Sequence, residues 1–138
     1  MPVTQSHSPI RRILGEAFNQ GQLSVVDEEL SPVQITRNFD DGTSNSKEGL
    51  KWLIGTFRTA FPDLYCTVED EIREGEKLAA HWTMSGTHEG LFLGNSPTGK
   101  HMKIQGVIFA RLVDGMIAEY WMRFDQYGLL QQLGIIPR

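Results

Sequence analysis

With one cysteine, Cys66, in 138 residues, the chain cannot close an intrachain disulfide. That thiol falls in a stretch expected to be a strand, where a buried, inert side chain is the ordinary outcome. No apolar run approaches the roughly 20 residues that cross a bilayer. The polar opening stretch, residues 1–12, lacks the apolar core of a secretory leader. A cytoplasmic protein with no membrane partner is therefore expected. Positive charge is also scarce: 13 lysines and arginines against 17 acids leave a formal charge of −4. No basic stripe is there to follow a phosphate backbone, so nucleic acid is not expected as a partner. Internal repeats and low-complexity tracts are missing too. What is present is an ordinary globular composition, 40% hydrophobic and 22% charged, enough for one core and too short for two. One domain over residues 1–138 is expected, with residues 1–7 as a tail.

Apolar spacing orders the elements. Ser8 is suited to cap a helix that Pro9 opens, and Ile10, Ile13, Leu14, Ala17 and Phe18 recur along one stripe. Asn19 and Gly21 end it. A short helix over 23–30 stops at Ser31-Pro32, and Val33 and Ile35 mark a brief strand. A loop with an Asp41-Gly42 turn leads to Ser46, the cap of a third helix. Leu50, Leu53, Ile54, Phe57, Ala60 and Phe61 lie along its face, and Pro62 closes it. The period then changes to alternation. Strands are expected over 64–72, 78–88, 100–112 and 116–124, the last two joined by an Asp114-Gly115 hairpin turn. A short helix over 126–133 follows. Helices first and a strand meander afterwards make an α+β fold, its antiparallel sheet backed by helices.

Alternation splits each strand into two faces. The more apolar set on the second strand is Ala80, Trp82, Met84, Gly86 and His88. On the third it is Ile104, Gly106, Ile108, Ala110 and Leu112. On the last, the set without formal charge is Ala118, Tyr120, Met122 and Phe124, which leaves Ile117, Glu119, Trp121 and Arg123 outside. With Trp52 and Phe57 from the third helix, the expected lining of an apolar pocket is Trp82, Met84, His88, Ile108, Tyr120, Met122 and Phe124. Ordinary core packing would use the same residues.

The motifs Ala60-Phe61-Pro62-Asp63-Leu64, Thr67-Val68-Glu69-Asp70 and Gly86-Thr87-His88-Glu89-Gly90 occur in register with Leu93-Gly94, Pro97-Thr98-Gly99 and Val113-Asp114-Gly115. Together with Asp125-Gln126-Tyr127-Gly128-Leu129-Leu130 and the closing Leu133-Gly134, they make the chain resemble the SnoaL-like polyketide cyclases of the nuclear transport factor 2-like superfamily. The resemblance implies a cone of curved antiparallel sheet closed by N-terminal helices. It also implies a pocket for a small apolar molecule and a homodimer through the outer sheet face, where the strand alternation sets Trp121 and Ile117. The family's founding reaction is a cofactor-free intramolecular aldol closure, but its acid/base aspartate and histidine fall here on Met122 and Ile108, which exchange no proton.

His88, Tyr120 and Asp125 remain as candidate catalytic residues. His88 is either a general acid/base or a clasp for the loop over 89–99. Tyr120 is either a donor to a developing oxyanion or a wall residue. Asp125 is either part of the site or the cap of the last helix. The histidines are too scattered for a metal site, and no phosphate-binding glycine loop follows a strand; no cofactor is indicated. The function implied is cofactor-free cyclisation, isomerisation or hydration of a polyketide- or terpenoid-like molecule. The alternative is a non-catalytic small-molecule binding module.

Overall fold

The switch from helical to alternating spacing near Pro62 is the main division of the chain. The computed structural model describes residues 8–32 and 46–137. The strand expected at Val33 and Ile35, the Asp41-Gly42 turn and residues 1–7 lie outside them.

Helix α1 (Pro9–Arg12) starts where Ser8 Oγ accepts the Arg11 amide, with Pro9 in the first turn. It continues as a π-helical segment (Ile13–Phe18), in which the Asn19 amide reaches back to the Leu14 carbonyl. The spacing predicts an uninterrupted α-helix; the wider turns still bury Ile13, Leu14, Ala17 and Phe18. The segment ends with the Asn19 side chain against the sheet, Oδ1 accepting the Cys66 amide at 2.7 Å and Nδ2 donating to the Cys66 carbonyl at 2.9 Å. Arg58 caps it from the other side through the Phe18 and Asn19 carbonyls. Helix α2 (Ser24–Glu29) follows, and Arg12 ties it to α1 through Glu28 at 2.9 Å and the buried Glu29 at 2.6 Å. Helix α3 (Lys47–Ala60) is capped by Ser46 and buries Leu50, Ile54, Phe57 and Ala60.

Strands β1 (Tyr65–Glu74), β2 (Lys77–Thr87), β3 (His101–Val113) and β4 (Met116–Phe124) form one antiparallel meander in that order. Helix α4 (Gln126–Gln132) closes the chain. Leu30 adds a parallel bridge to β4 at Ile117. The helices and the inner sheet face share one core, in which Trp82, Phe61 and Phe18 are almost wholly buried. Each such side chain is worth roughly 2–3 kcal/mol of hydrophobic stabilisation.

Two bulges bend the sheet, as extra residues in one strand do. One inserts Glu69 between the Val68–Trp82 and Asp70–His81 pairs. The other inserts Ala118 between the Leu112–Ile117 and Arg111–Glu119 pairs. The second corrects the expected face of Ile117. Strict alternation puts Ile117 outside, but the bulge flips the parity, pairs it with inward Leu112 and leaves it 1% exposed. Ile117 therefore belongs to the interior and not to an outer interface. The α+β fold with its curved antiparallel sheet backed by helices is as the sequence predicts.

Candidate functional site

Three rungs of the inner sheet face carry the candidate site. Leu78–Ala110–Tyr120, Ala80–Ile108–Met122 and Trp82–Gly106–Phe124 are direct cross-strand partners. The helices close over them. Between Ile13, Leu30, Leu50, Ile108, Ile117, Tyr120 and Met122 lies a narrow, wholly apolar-walled cavity of about 10 Å³, the space of about one water. Part of the hollow expected from the sequence is occupied by aromatic side chains among the described residues. Phe57, Phe61, Phe92 and Phe124 fill that part: Phe57 meets Phe92 at 5.5 Å, Phe61 at 6.0 Å and Phe124 at 6.0 Å between ring centres. Trp82 packs on Phe124 at 6.1 Å.

Of the expected lining, Phe57, Trp82, Met84, Ile108 and Tyr120 are buried, and Met122 and Phe124 are half-buried against the same core. Trp52 is not inside. It is 58% exposed, because at 100° per residue it stands about 200° around the helix from Leu50. Sequence reasoning overlooked Ile13, Leu30, Leu50 and Ile117 as cavity walls and Phe92 as part of the aromatic group. Phe92 sits in a loop, where no period marks a face.

His88 is fully buried. Its Nδ1 takes the Thr98 amide at 3.3 Å and lies 3.0 Å from the Thr98 hydroxyl. An amide can only donate, so Nδ1 is the acceptor and the ring proton sits on Nε2. The His88 backbone also bonds Lys100 and Gly99, and the Glu89 and Gly90 amides cap the Ala60 carbonyl at 3.0 Å. The ring packs on Phe61 and Phe92. This geometry clasps the 89–99 loop, with the Nδ1 lone pair directed at the Thr98 amide. His88 Nε2 and Trp82 Nε1 are both buried without a hydrogen-bond partner, a cost of roughly 1–3 kcal/mol each.

Tyr120 is the one titratable candidate on the cavity wall. Burial pushes its phenol well above the usual tyrosine range, so it stays protonated and can donate a hydrogen bond. Asp125 is exposed and caps α4, its Oδ1 accepting the Gly128 amide at 2.9 Å. A Cβ at position 128 would come 2.2 Å from the other carboxylate oxygen, so a larger residue there would displace the capping carboxylate. The structure does not bring His88, Tyr120 and Asp125 together around one point. No cluster of three metal-ligating side chains occurs among the described residues, and no helix among them is long and apolar enough to cross a membrane.

The SnoaL-like polyketide cyclase sequence profile matches residues 9–133. The chain belongs to that family. No curated protein matches it at the sequence level. Solved structures of the same shape include TsrD from Streptomyces laurentii, 26% identical, with a TM-score of 0.83 and 99% of each chain covered. IdmH from Streptomyces antibioticus is 31% identical over 93% of this chain and 99% of its own, with a TM-score of 0.74. AclR from Streptomyces galilaeus is 29% identical over 94% and 81%, with a TM-score of 0.80. In this SnoaL-like chain, the two places to which the resemblance assigns the aldol histidine and aspartate, Ile108 and Met122, are direct cross-strand partners that wall the cavity.

Proposed function

We propose that the chain binds a small, largely apolar, polyketide- or terpenoid-like molecule within the cone. Tyr120 then acts on it as acid or hydrogen-bond donor in a cofactor-free isomerisation, cyclisation or hydration. The observation that carries this reading is that Tyr120, alone of the described side chains around the cavity, carries a polar group that can donate a proton. A phenol in a dry site is a group able to donate to a developing oxyanion. Access requires the half-buried Met122 or Phe124 to move aside.

A second reading, a binding module without chemistry, is supported by Ile108 and Met122 on the cavity wall, by the committed His88 Nδ1 and by Asp125 as a helix cap. Tyr120→Phe separates the two. Under the catalytic reading the variant binds the substrate within about threefold of the parent and turns it over at least a hundredfold more slowly. Unchanged turnover, or substrate recovered unaltered from the parent protein, leaves the binding module. The same proposal includes a homodimer through the outer sheet face, centred on Phe109 and Trp121.

A further inference from the structure

At about 10 Å³, the cavity holds no more than a water-sized body, so one of its walls must yield before a molecule can enter. The walls differ in how readily they can. Every described wall except Met122 is buried, Ile108 and Tyr120 at 4% and 5% exposure included, whereas Met122 is half-buried and reaches the surface. Ile13, Ile108 and Ile117 are β-branched and stiff at χ1. Met122 is unbranched and turns about several side-chain bonds. Phe124, also half-buried, is not a cavity wall, and its ring is packed between Phe57 and Trp82.

We infer that Met122 is the gate of the cavity: its thioether swings outward to admit a small apolar molecule. This rests on the small-molecule reading proposed above and names the wall that yields. The sheet need not open. Rotation about the side-chain bonds moves Cγ, Sδ and Cε while the Met122 backbone stays paired with Ile108. The space those atoms leave joins the existing void, and the entering molecule then lies against the remaining walls, Ile108 and Tyr120 among them. A site that is open only part of the time binds more weakly, in proportion to the open fraction.

The test uses toluene on the full chain labelled with 13C at its isoleucine δ1 methyls, assigned by single Ile→Val changes. Ile13, Ile108 and Ile117 wall the cavity, and Ile72 is exposed on the outer sheet face. Toluene in the cavity should shift the first three signals and leave Ile72 unmoved. Two variants act on the gate in opposite senses. Met122→Ala removes it and should raise the association rate, read from methyl exchange, by roughly tenfold or more. Met122→Ile keeps an apolar side chain of similar size, and so the fold, but stiffens it at χ1; it should lower the rate by a similar factor. A rate in Met122→Ala no higher than the parent's, or in Met122→Ile no lower, overturns the gate and leaves the pocket standing. Shifts in Met122→Ala alone also overturn it, since Met122 is then a fixed wall. No shift at the cavity isoleucines in any of the three proteins overturns the pocket reading, and this inference falls with it.

Discussion

Burial sets the chemistry of single side chains here, beginning with the lone thiol. Cys66 is 5% exposed and desolvation pushes its thiol up to about 12. At pH 8 its thiolate fraction is then about one in ten thousand, against roughly a quarter for a free cysteine. Asn19 also holds the backbone at Cys66 through both amide and carbonyl, so the strand does not peel open there alone. Alkylation by iodoacetamide at pH 8 should be about a thousandfold slower in the folded protein than in urea. Rates within tenfold of each other would show an accessible thiol. The burial of Trp82, Met84 and Ile108 is legible from strand alternation, because β2 and β3 pair without a shift along their length. Ile117 is not legible, since a single inserted residue reverses every face beyond it. The exposure of Trp52 is legible from its angle around α3, which turns it away from Leu50.

Among the elements, starts and stops were legible where a side chain makes them. Ser8, Ser46 and Asp125 each accept an amide at the beginning of a helix. The π-helical stretch was not, because wider turns bury the same Ile13, Leu14, Ala17 and Phe18 that an α-helix would. Asp63 shows how a junction outside any element supports the site. It follows α3 and accepts the amide of Thr87 at 2.7 Å and its hydroxyl at 2.9 Å, joining the start of β1 to the end of β2, next to His88. The Thr87 amide, foremost, holds the Asp63 carboxyl below the usual range. A group whose folded value is depressed stabilises the fold above its unfolded value, near 3.9, and loses that contribution as pH falls through the folded one. Asp63→Asn should therefore destabilise the protein by about 1 kcal/mol at most at pH 7, given the exposure of the group. The gap from the parent should hold down to about pH 4 and close below it. Denaturation midpoints at pH 7, 5, 4 and 3 would show this, and a gap that widened on acidification would contradict it.

At the scale of the whole molecule, the sheet presents an outer face that the helices do not cover. Register places Ile72, Ala79, Phe109 and Trp121 in one transverse row across all four strands. Ile72 is 67% and Phe109 41% exposed, and the Phe109 and Trp121 rings meet at 5.7 Å. On one side runs the row Glu74, Lys77, Arg111 and Glu119; on the other, Asp70, His81, Val107 and Arg123. An apolar centre, continued by the exposed Val107 and flanked mainly by polar side chains, is the layout of a stable interface, although Glu119 at one end of its row is buried. A twofold dimer uses one patch twice, so a single substitution strikes both halves. Phe109→Asp places a carboxylate beside Trp121 on each protomer, and pairing the faces would then bury two charges without partners. The parent should sediment as a dimer at micromolar concentration, and Phe109→Asp as a monomer with the same circular dichroism, its dimer constant weakened at least a hundredfold. Because the side chain points away from the cavity, ligand binding per protomer should survive the change. A parent protein that sediments as a monomer would instead mean that the Ile72–Trp121 row stays in water, and the dimer proposal would fail without touching the pocket.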